Sequence, residues 1–296
     1  MKQPIELRKI RDFGQIINDS FTFLRANFKP LFTALLIICG VFILIGTVTS
    51  VYQYMSMMGI YQGAITFGRA THEVPSYTVP YFLSVLFNAI ILMLLQACIH
   101  LVTLCYLSVY VQKGNNQPTF AEVWGYFRYY FWRVFGASII VVILVVIGCF
   151  LCLIPGIYLL IVFYLIIPII VIENASFTYS FNKSFRLIKD NWWFVFGVTF
   201  IMSIIVSVSS SIANLPITVF TLGASFFSGK SYTLPILIVL SALRNILMLL
   251  YTLPAIAIAL CYFNLSEQKD GTGLLDRIEK FGKNTGDNST LPSEEY

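Results

Sequence analysis

A chain of 296 residues that is 58% apolar and only 11% charged cannot clothe a soluble fold, which usually needs about 25% charged residues. The mean hydropathy of +0.81 points the same way, to an integral membrane protein. The net charge of +5 does not argue for nucleic acid, because no basic block stands outside the segments flanking apolar runs.

The first 30 residues hold nine charges. Within them Phe13, Ile17, Phe21, Leu24 and Phe28 recur at intervals of four, four, three and four, which places them on one helical face. Asp12 followed by Gln15 reads as a capping box that starts this amphipathic helix. No cleavable leader is expected, because the stretch before the first apolar run is polar and amphipathic.

A crossing helix needs about 20 mostly apolar residues to span about 30 Å of hydrocarbon. The first such run is 31–52. An outer loop over 53–80 follows, with Gly59, Gly63 and Gly68, expected to fold over the outer face or to be partly disordered. The second run is 81–111. Pro118, Thr119 and Glu122 then mark a second amphipathic start, with Phe120, Trp124, Phe127 and Phe131 on one face.

Runs three and four, 136–154 and 157–172, are split by Pro155-Gly156, a strong turn signal that predicts a tight hairpin. The fourth run is short, which leaves a full crossing and a re-entrant hairpin both open. A third amphipathic segment carries Phe177, Phe181, Phe185, Ile188 and Trp192, and runs five and six are 193–214 and 234–264. The tail, 267–296, reads as a turn at Gly271 and Gly273, a short amphipathic helix over 274–281, and disorder beyond.

Orientation follows from Lys and Arg in the loops. With the N-terminus cytoplasmic, sixteen of the nineteen fall on that side, and Arg69, Lys230 and Arg244 on the other. Both termini are therefore expected in the cytoplasm.

The three amphipathic segments align with one another. Positions 17–21 and 25–28 match 181–185 and 189–192 at an offset of 164, and 124–135 joins the last copy at an offset of 61. Arg25, Arg128 and Lys189 then share one position. The expected fold is all-α and polytopic: about six transmembrane helices in three hairpins, each preceded by an interfacial amphipathic helix. Units of roughly 12–112, 119–173 and 176–264 would form one membrane domain, 1–266. Aromatic faces would sit in the headgroup boundary while Arg25, Arg128 and Lys189 meet water and lipid phosphate. Plain connectors with an interfacial aromatic belt are the compatible, simpler use.

All six cysteines lie in apolar runs. Cys149 and Cys152 are spaced like a redox or metal pair, but on a crossing helix they read as two small apolar residues. The only histidines are His72 and His100, so no metal or cofactor is expected.

The run LIPGIY at 153–158, the Pro168 to Glu173 stretch and the Ser184, Arg186, Leu187, Trp192, Trp193 pattern together resemble the membrane domain attached to some bacterial glycerophosphodiester phosphodiesterases. The same domain occurs in stand-alone bacterial membrane proteins. The match is clearest over 120–200, and the ending at 264–279 is similar to tails of Bacteroidota members of the group. The resemblance implies a bacterial inner-membrane location and a membrane domain without catalytic residues. The phosphodiesterase barrel, with its histidines and metal-binding carboxylates, has no counterpart in this chain.

Polar groups inside apolar runs are costly and so mark function or interhelical bonding. Ser84, Asn88, Gln96, His100 and Thr103 lie in the second run, Arg244 and Asn245 in the sixth. Three uses are open: hydrogen bonds between helices with Arg244 snorkelling outward; a cavity of Gln96, His100 and Arg244 for an anionic headgroup or small solute; or a proton relay through His100. Glu173 is expected to pair with Lys183 or Arg186, or to bond amides opening the third amphipathic helix. The leading expectation is a non-enzymatic scaffold, accessory or lipid-organising protein whose partners are membrane lipid and a membrane protein or second copy. The alternative is a transporter or lipid-translocating protein with a polar intramembrane cavity.

Overall fold

The computed structural model describes residues 5–66, 78–151, 153–224 and 233–271. Arg69, His72, Cys152, Lys230, residues 67–77 of the outer loop and the expected tail helix lie outside them; the rest of the loop expected over 53–80 is helical, because the first crossing helix runs on to Thr66 and the second starts at Thr78. Among the described residues all regular structure is helical, and six stretches are long and apolar enough to cross a membrane: Phe28–Met57, Val79–Gln112, Phe120–Phe150, Ile154–Glu173, Trp192–Thr221 and Leu234–Asp270. The chain is an all-α, multi-pass membrane protein.

Helix α1 spans Phe13–Ala26 and α2 Phe28–Thr66. The Asp12 backbone N–H donates to Gln15 Oε1 at 3.3 Å, as a capping box requires. Near its start α1 sets Phe13 edge-on to Phe194, 6.2 Å between centroids. Near its end Phe23 meets Tyr110 at 5.1 Å. Phe194 lies in α8, Trp192–Ala224, and Tyr110 in α3, Thr78–Gln112. The two ends of α1 thus meet two different crossing helices.

Helix α7, Phe177–Ile188, begins 164 positions after α1 and is capped by Ser176, whose Oγ accepts from the Tyr179 N–H. The deepest residues agree at that offset: Ile16, Ser20 and Phe23 in α1, Ser180, Ser184 and Leu187 in α7. The named aromatic stripe, Phe13, Ile17, Phe21 and Leu24, is only half-buried. It lies on the flank of the buried face.

The middle segment departs from the expected separate interfacial helix: α4 runs unbroken from Phe120 to Leu151. The break after α1 falls at Asn27, whose Nδ2 turns back to the Phe23 carbonyl and whose own carbonyl accepts the Leu31 N–H. The break after α7 falls at the matching Asn191, whose carbonyl accepts from Val195. In the middle copy that position is Tyr130, a buried ring with no amide to satisfy broken backbone, and the helix continues.

The hairpin also turns earlier than Pro155-Gly156. Helix α5 begins at Leu153, so Pro155 occupies a first turn, where its missing N–H costs nothing. Gly156 serves close approach: a Cβ there would lie 2.4 Å from Cys149 Sγ and 2.9 Å from Cys149 Cα. Helices α5, Leu153–Tyr164, and α6, Ile166–Glu173, are separated at Leu165, because Pro168 removes a hydrogen bond to, and clashes with, the carbonyl of Tyr164. Together they make a 20-residue crossing, long enough for a full span.

Pro254 breaks the sixth crossing in the same way. Helix α9, Thr233–Leu247, passes through a 3-10 turn at Met248–Tyr251 into α10, Thr252–Asp270. Thr252 to Ser266 in α10 are almost all buried, as expected for a helix apolar all round. It touches α1, α3, α6, α7 and α8 and forms the centre of the bundle. It continues past 266 to Asp270, so the first residues assigned to the tail belong to the helical body.

Candidate functional site

Charge gathers at the end of the bundle that carries α1 and α7. Glu173, the last residue of α6, accepts from Lys183 Nζ at 2.6 Å and from the Tyr262 hydroxyl. Lys183 also reaches Asp270 at 3.2 Å, and Arg186 reaches Asp270 at 2.9 Å. Lys269 joins Asp190 at 3.1 Å and the Arg186 carbonyl at 2.7 Å. Lys183 is only 8% exposed. Burial acts to lower its pKa, but the hydrogen bonds and charges of Glu173 and Asp270 outweigh it and hold the ammonium above its ordinary 10.5. The expected Glu173–Lys183 pairing is present. The residues that complete it, Tyr262 and Asp270, were not anticipated, because a tyrosine in an apolar run and an acid near its end carry no spacing signal.

A second tie fastens the N-terminal segment. Arg11, 3% exposed, bonds Asp19 at 2.8 Å and donates to the carbonyls of Glu6, Leu7 and Lys9. Its backbone pairs reciprocally with the Asn264 amide, at 3.0 and 3.1 Å. In the sequence Arg11 is one of sixteen basic residues that set orientation, with no local sign of its partners.

Arg25, Arg128 and Lys189 are all exposed, and their side chains make no hydrogen bond or ion pair with the described residues. Beside α4 opens a cleft of about 680 Å³ lined by Gln112, Lys113, Glu122, Tyr126, Tyr129 and Asn174, among others. Lys113 pairs with Glu122 at 2.9 Å, and Glu122 closes the predicted cap by accepting the Thr119 N–H at 2.8 Å. Arg133 donates to Asn174 Oδ1 at 3.0 Å.

The opposite end holds the remaining polar residues. Tyr54 lies 26 residues into α2, roughly 39 Å from its start. Its hydroxyl accepts from Arg244 Nη1 at 3.4 Å. Asn245 Nδ2 donates to Thr47 Oγ1 at 3.2 Å, and Asn88 Nδ2 to Thr49 and Ser50, each at 3.0 Å. Ser241 Oγ, Arg244 Nε and Asn245 Oδ1 are buried without a partner among the described residues.

Gln96 and His100, half-buried in the middle of α3, form no hydrogen bond with the described residues. Helix α3 meets the 3-10 turn and α10, whereas α9, which carries Arg244, packs mainly on α2 and α8. Arg244 instead bonds Tyr54 of α2. Among the described residues, no three His, Cys, Asp or Glu side chains converge as a metal site would need. No family model, curated protein or solved structure matches this chain.

Proposed function

We propose that this chain is a non-enzymatic protein of the bacterial cytoplasmic membrane that organises anionic lipid as a scaffold or accessory component. The end bearing α1 and α7, with both termini, then faces the cytoplasm. The observation that carries the reading is the set Arg25, Arg128 and Lys189: one aligned position, three exposed cations, and no counter-ion among the described residues. Exposed basic residues beside half-buried aromatics suit a headgroup layer. The resemblance to the phosphodiesterase-associated membrane domain belongs to the same proposal, as does a membrane-protein partner or second copy.

The test is reconstitution into vesicles of phosphatidylglycerol or phosphatidylcholine. Protein should enrich anionic lipid around itself, and the triple change Arg25→Glu, Arg128→Glu, Lys189→Glu should abolish that enrichment. Equal behaviour in both lipids overturns it.

A second reading, a transporter or lipid-translocating protein, draws on the unpaired Ser241, Arg244 and Asn245 atoms at the α2–α9 contact. Single cysteines along α3, α9 and α10 would then show a stripe reactive to aqueous reagents. Uniform protection sinks it.

A further inference from the structure

The cleft beside α4 is bounded by three helix ends: α3 stops at Gln112, α4 starts at Phe120 and α6 stops at Glu173. Glu122, Tyr126, Tyr129 and Tyr130 line it from one face of α4, at intervals of four, three and one, and Lys113 and Asn174 join them.

The hydrogen-bonding groups of this lining are unevenly used. Its strong acceptors are engaged. Both Glu122 oxygens accept from Lys113 Nζ, at 2.9 and 3.0 Å, and one also accepts the Thr119 N–H. Gln112 Oε1 accepts from the Tyr126 hydroxyl, and Asn174 Oδ1 from Arg133 Nη1 at 3.0 Å. Donors are left over. The hydroxyls of Tyr129 and Tyr130, and Asn174 Nδ2, bond to none of the described residues. Arg133 fixes the last of these: a guanidinium only donates, so the amide must give it the oxygen and keep its NH2 free.

Tyr130 is the decisive residue. Its ring is 4% exposed and packs on Tyr126 and Tyr129, with centroids 6.1 and 4.8 Å away. A buried phenol usually finds a hydrogen-bond partner. The unpartnered polar atoms sealed inside the described part of the bundle belong to Thr199, Ser241, Arg244, Asn245 and Thr252. The Tyr130 oxygen is not one of them, so it opens onto the cleft that Tyr130 lines.

We propose that this cleft binds a phosphoryl group, which accepts from the Tyr129 and Tyr130 hydroxyls and from Asn174 Nδ2. An ionised phosphoryl group offers several strong acceptor oxygens and no donor, which suits a lining with engaged acceptors and spare donors. The charge balance agrees. Lys113 neutralises Glu122, and Arg133, bonded to Asn174, pairs with no acid among the described residues, so the site carries a net positive field. A lipid headgroup and a free phosphate both present this chemistry. Arg25, Arg128 and Lys189 are not among the lining residues, so the site stands apart from the lipid-organising reading.

The experiment offers the full chain, in uncharged detergent, phosphatidylglycerol or a diacylglycerol with the same acyl chains, and counts retained molecules by native mass spectrometry. Equilibrium dialysis against labelled inorganic phosphate measures the free anion. One phosphoryl ligand per chain is expected. Retention of phosphatidylglycerol over diacylglycerol without phosphate uptake assigns a lipid source, and phosphate uptake assigns a free one. Tyr129→Phe and Tyr130→Phe keep the rings and should each weaken binding about 10-fold, the worth of one hydrogen bond to a charged group. Asn174→Asp keeps an acceptor for Arg133 but exchanges the donor for a negative charge, and should abolish binding without lowering the unfolding midpoint. Tyr52→Phe, two residues from Tyr54 on α2, should change nothing.

Equal retention of the two lipids together with no phosphate uptake overturns the proposal. So does binding that survives both Tyr→Phe changes and Asn174→Asp. The triple change Arg25→Glu, Arg128→Glu, Lys189→Glu separates the cleft from the lipid-organising reading. Its cleft ligand should stay bound whether or not vesicle enrichment is lost, and loss of that ligand overturns the separate site.

Discussion

Lys183 Nζ lies 2.6 Å from Glu173 Oε1 and joins α7 to the end of α6. Since Lys183 also bonds Asp270, one ammonium holds two carboxylates from two other helices. Replacing it with Met leaves Glu173 without its cation and Asp270 with only the exposed Arg186. Lys183→Met should cost about 1–3 kcal/mol, the penalty for stranding buried polar partners, measured as a lower unfolding midpoint in detergent. An unchanged midpoint means the cluster is ornamental.

The same group predicts a pH dependence. A folded-state pKa held above 10.5 means that the stabilisation is complete below 10.5 and is lost as pH rises through the raised value. The gap in midpoint between wild type and Lys183→Met should therefore be constant near neutrality and close at strongly alkaline pH. A gap that widens with pH contradicts the assignment.

Cys39 on α2 and Cys98 on α3 are buried with their sulfurs 3.3 Å apart. That separation needs only a modest shift to reach a disulfide. A membrane-permeable oxidant, taking two electrons and both thiol protons, should link them and remove two free thiols. Cys39→Ser should retain Cys98 as a free thiol under the same treatment. Peptide mapping that finds no 39–98 link refutes the α2–α3 register.

Gly156 sits where a Cβ would be 2.9 Å from the Cys149 backbone. Gly156→Ala cannot be absorbed by rotating a side chain, so α4 and α5 must separate. Destabilisation of about 1–3 kcal/mol is expected from such overpacking. Gly125→Ala, where a Cβ meets nothing within 4 Å, is the control and should be near neutral by the same thermal assay.

Asn264→Ala removes both bonds to the Arg11 backbone. The segment before α1 should then become a protease site while the crossing helices stay intact. Limited proteolysis with N-terminal sequencing reads this directly. Cleavage no faster than wild type would show that Arg11 is held by its other bonds alone.

The crossing segments are legible because their apolar runs are long and uncharged, and the starts of the first two amphipathic segments because their caps are local. Asp12–Gln15 and Thr119–Glu122 each involve residues three apart; the Ser176–Tyr179 cap of the third has the same spacing but is shown only by the structure. What stayed hidden depends on distant partners. Nothing near Arg244 indicates that it meets Tyr54, 190 positions away. Nothing near Arg11 indicates that its backbone pairs with the Asn264 amide, 253 positions away. In α4 Tyr130 stands where Asn27 and Asn191 stand, and the helix runs on unbroken.

The sequence by itself determined that this chain lives in a bilayer, how many times it can cross, and where its aromatic, basic segments begin. Those properties follow from local composition and periodicity, which need no partner to act. Only the tertiary structure decided that α10 is the buried centre, that Lys183 gathers two acids, and that Arg244 meets Tyr54. Each of these depends on which helix faces which, and in hydrocarbon, where all faces are apolar, hydropathy does not encode that choice.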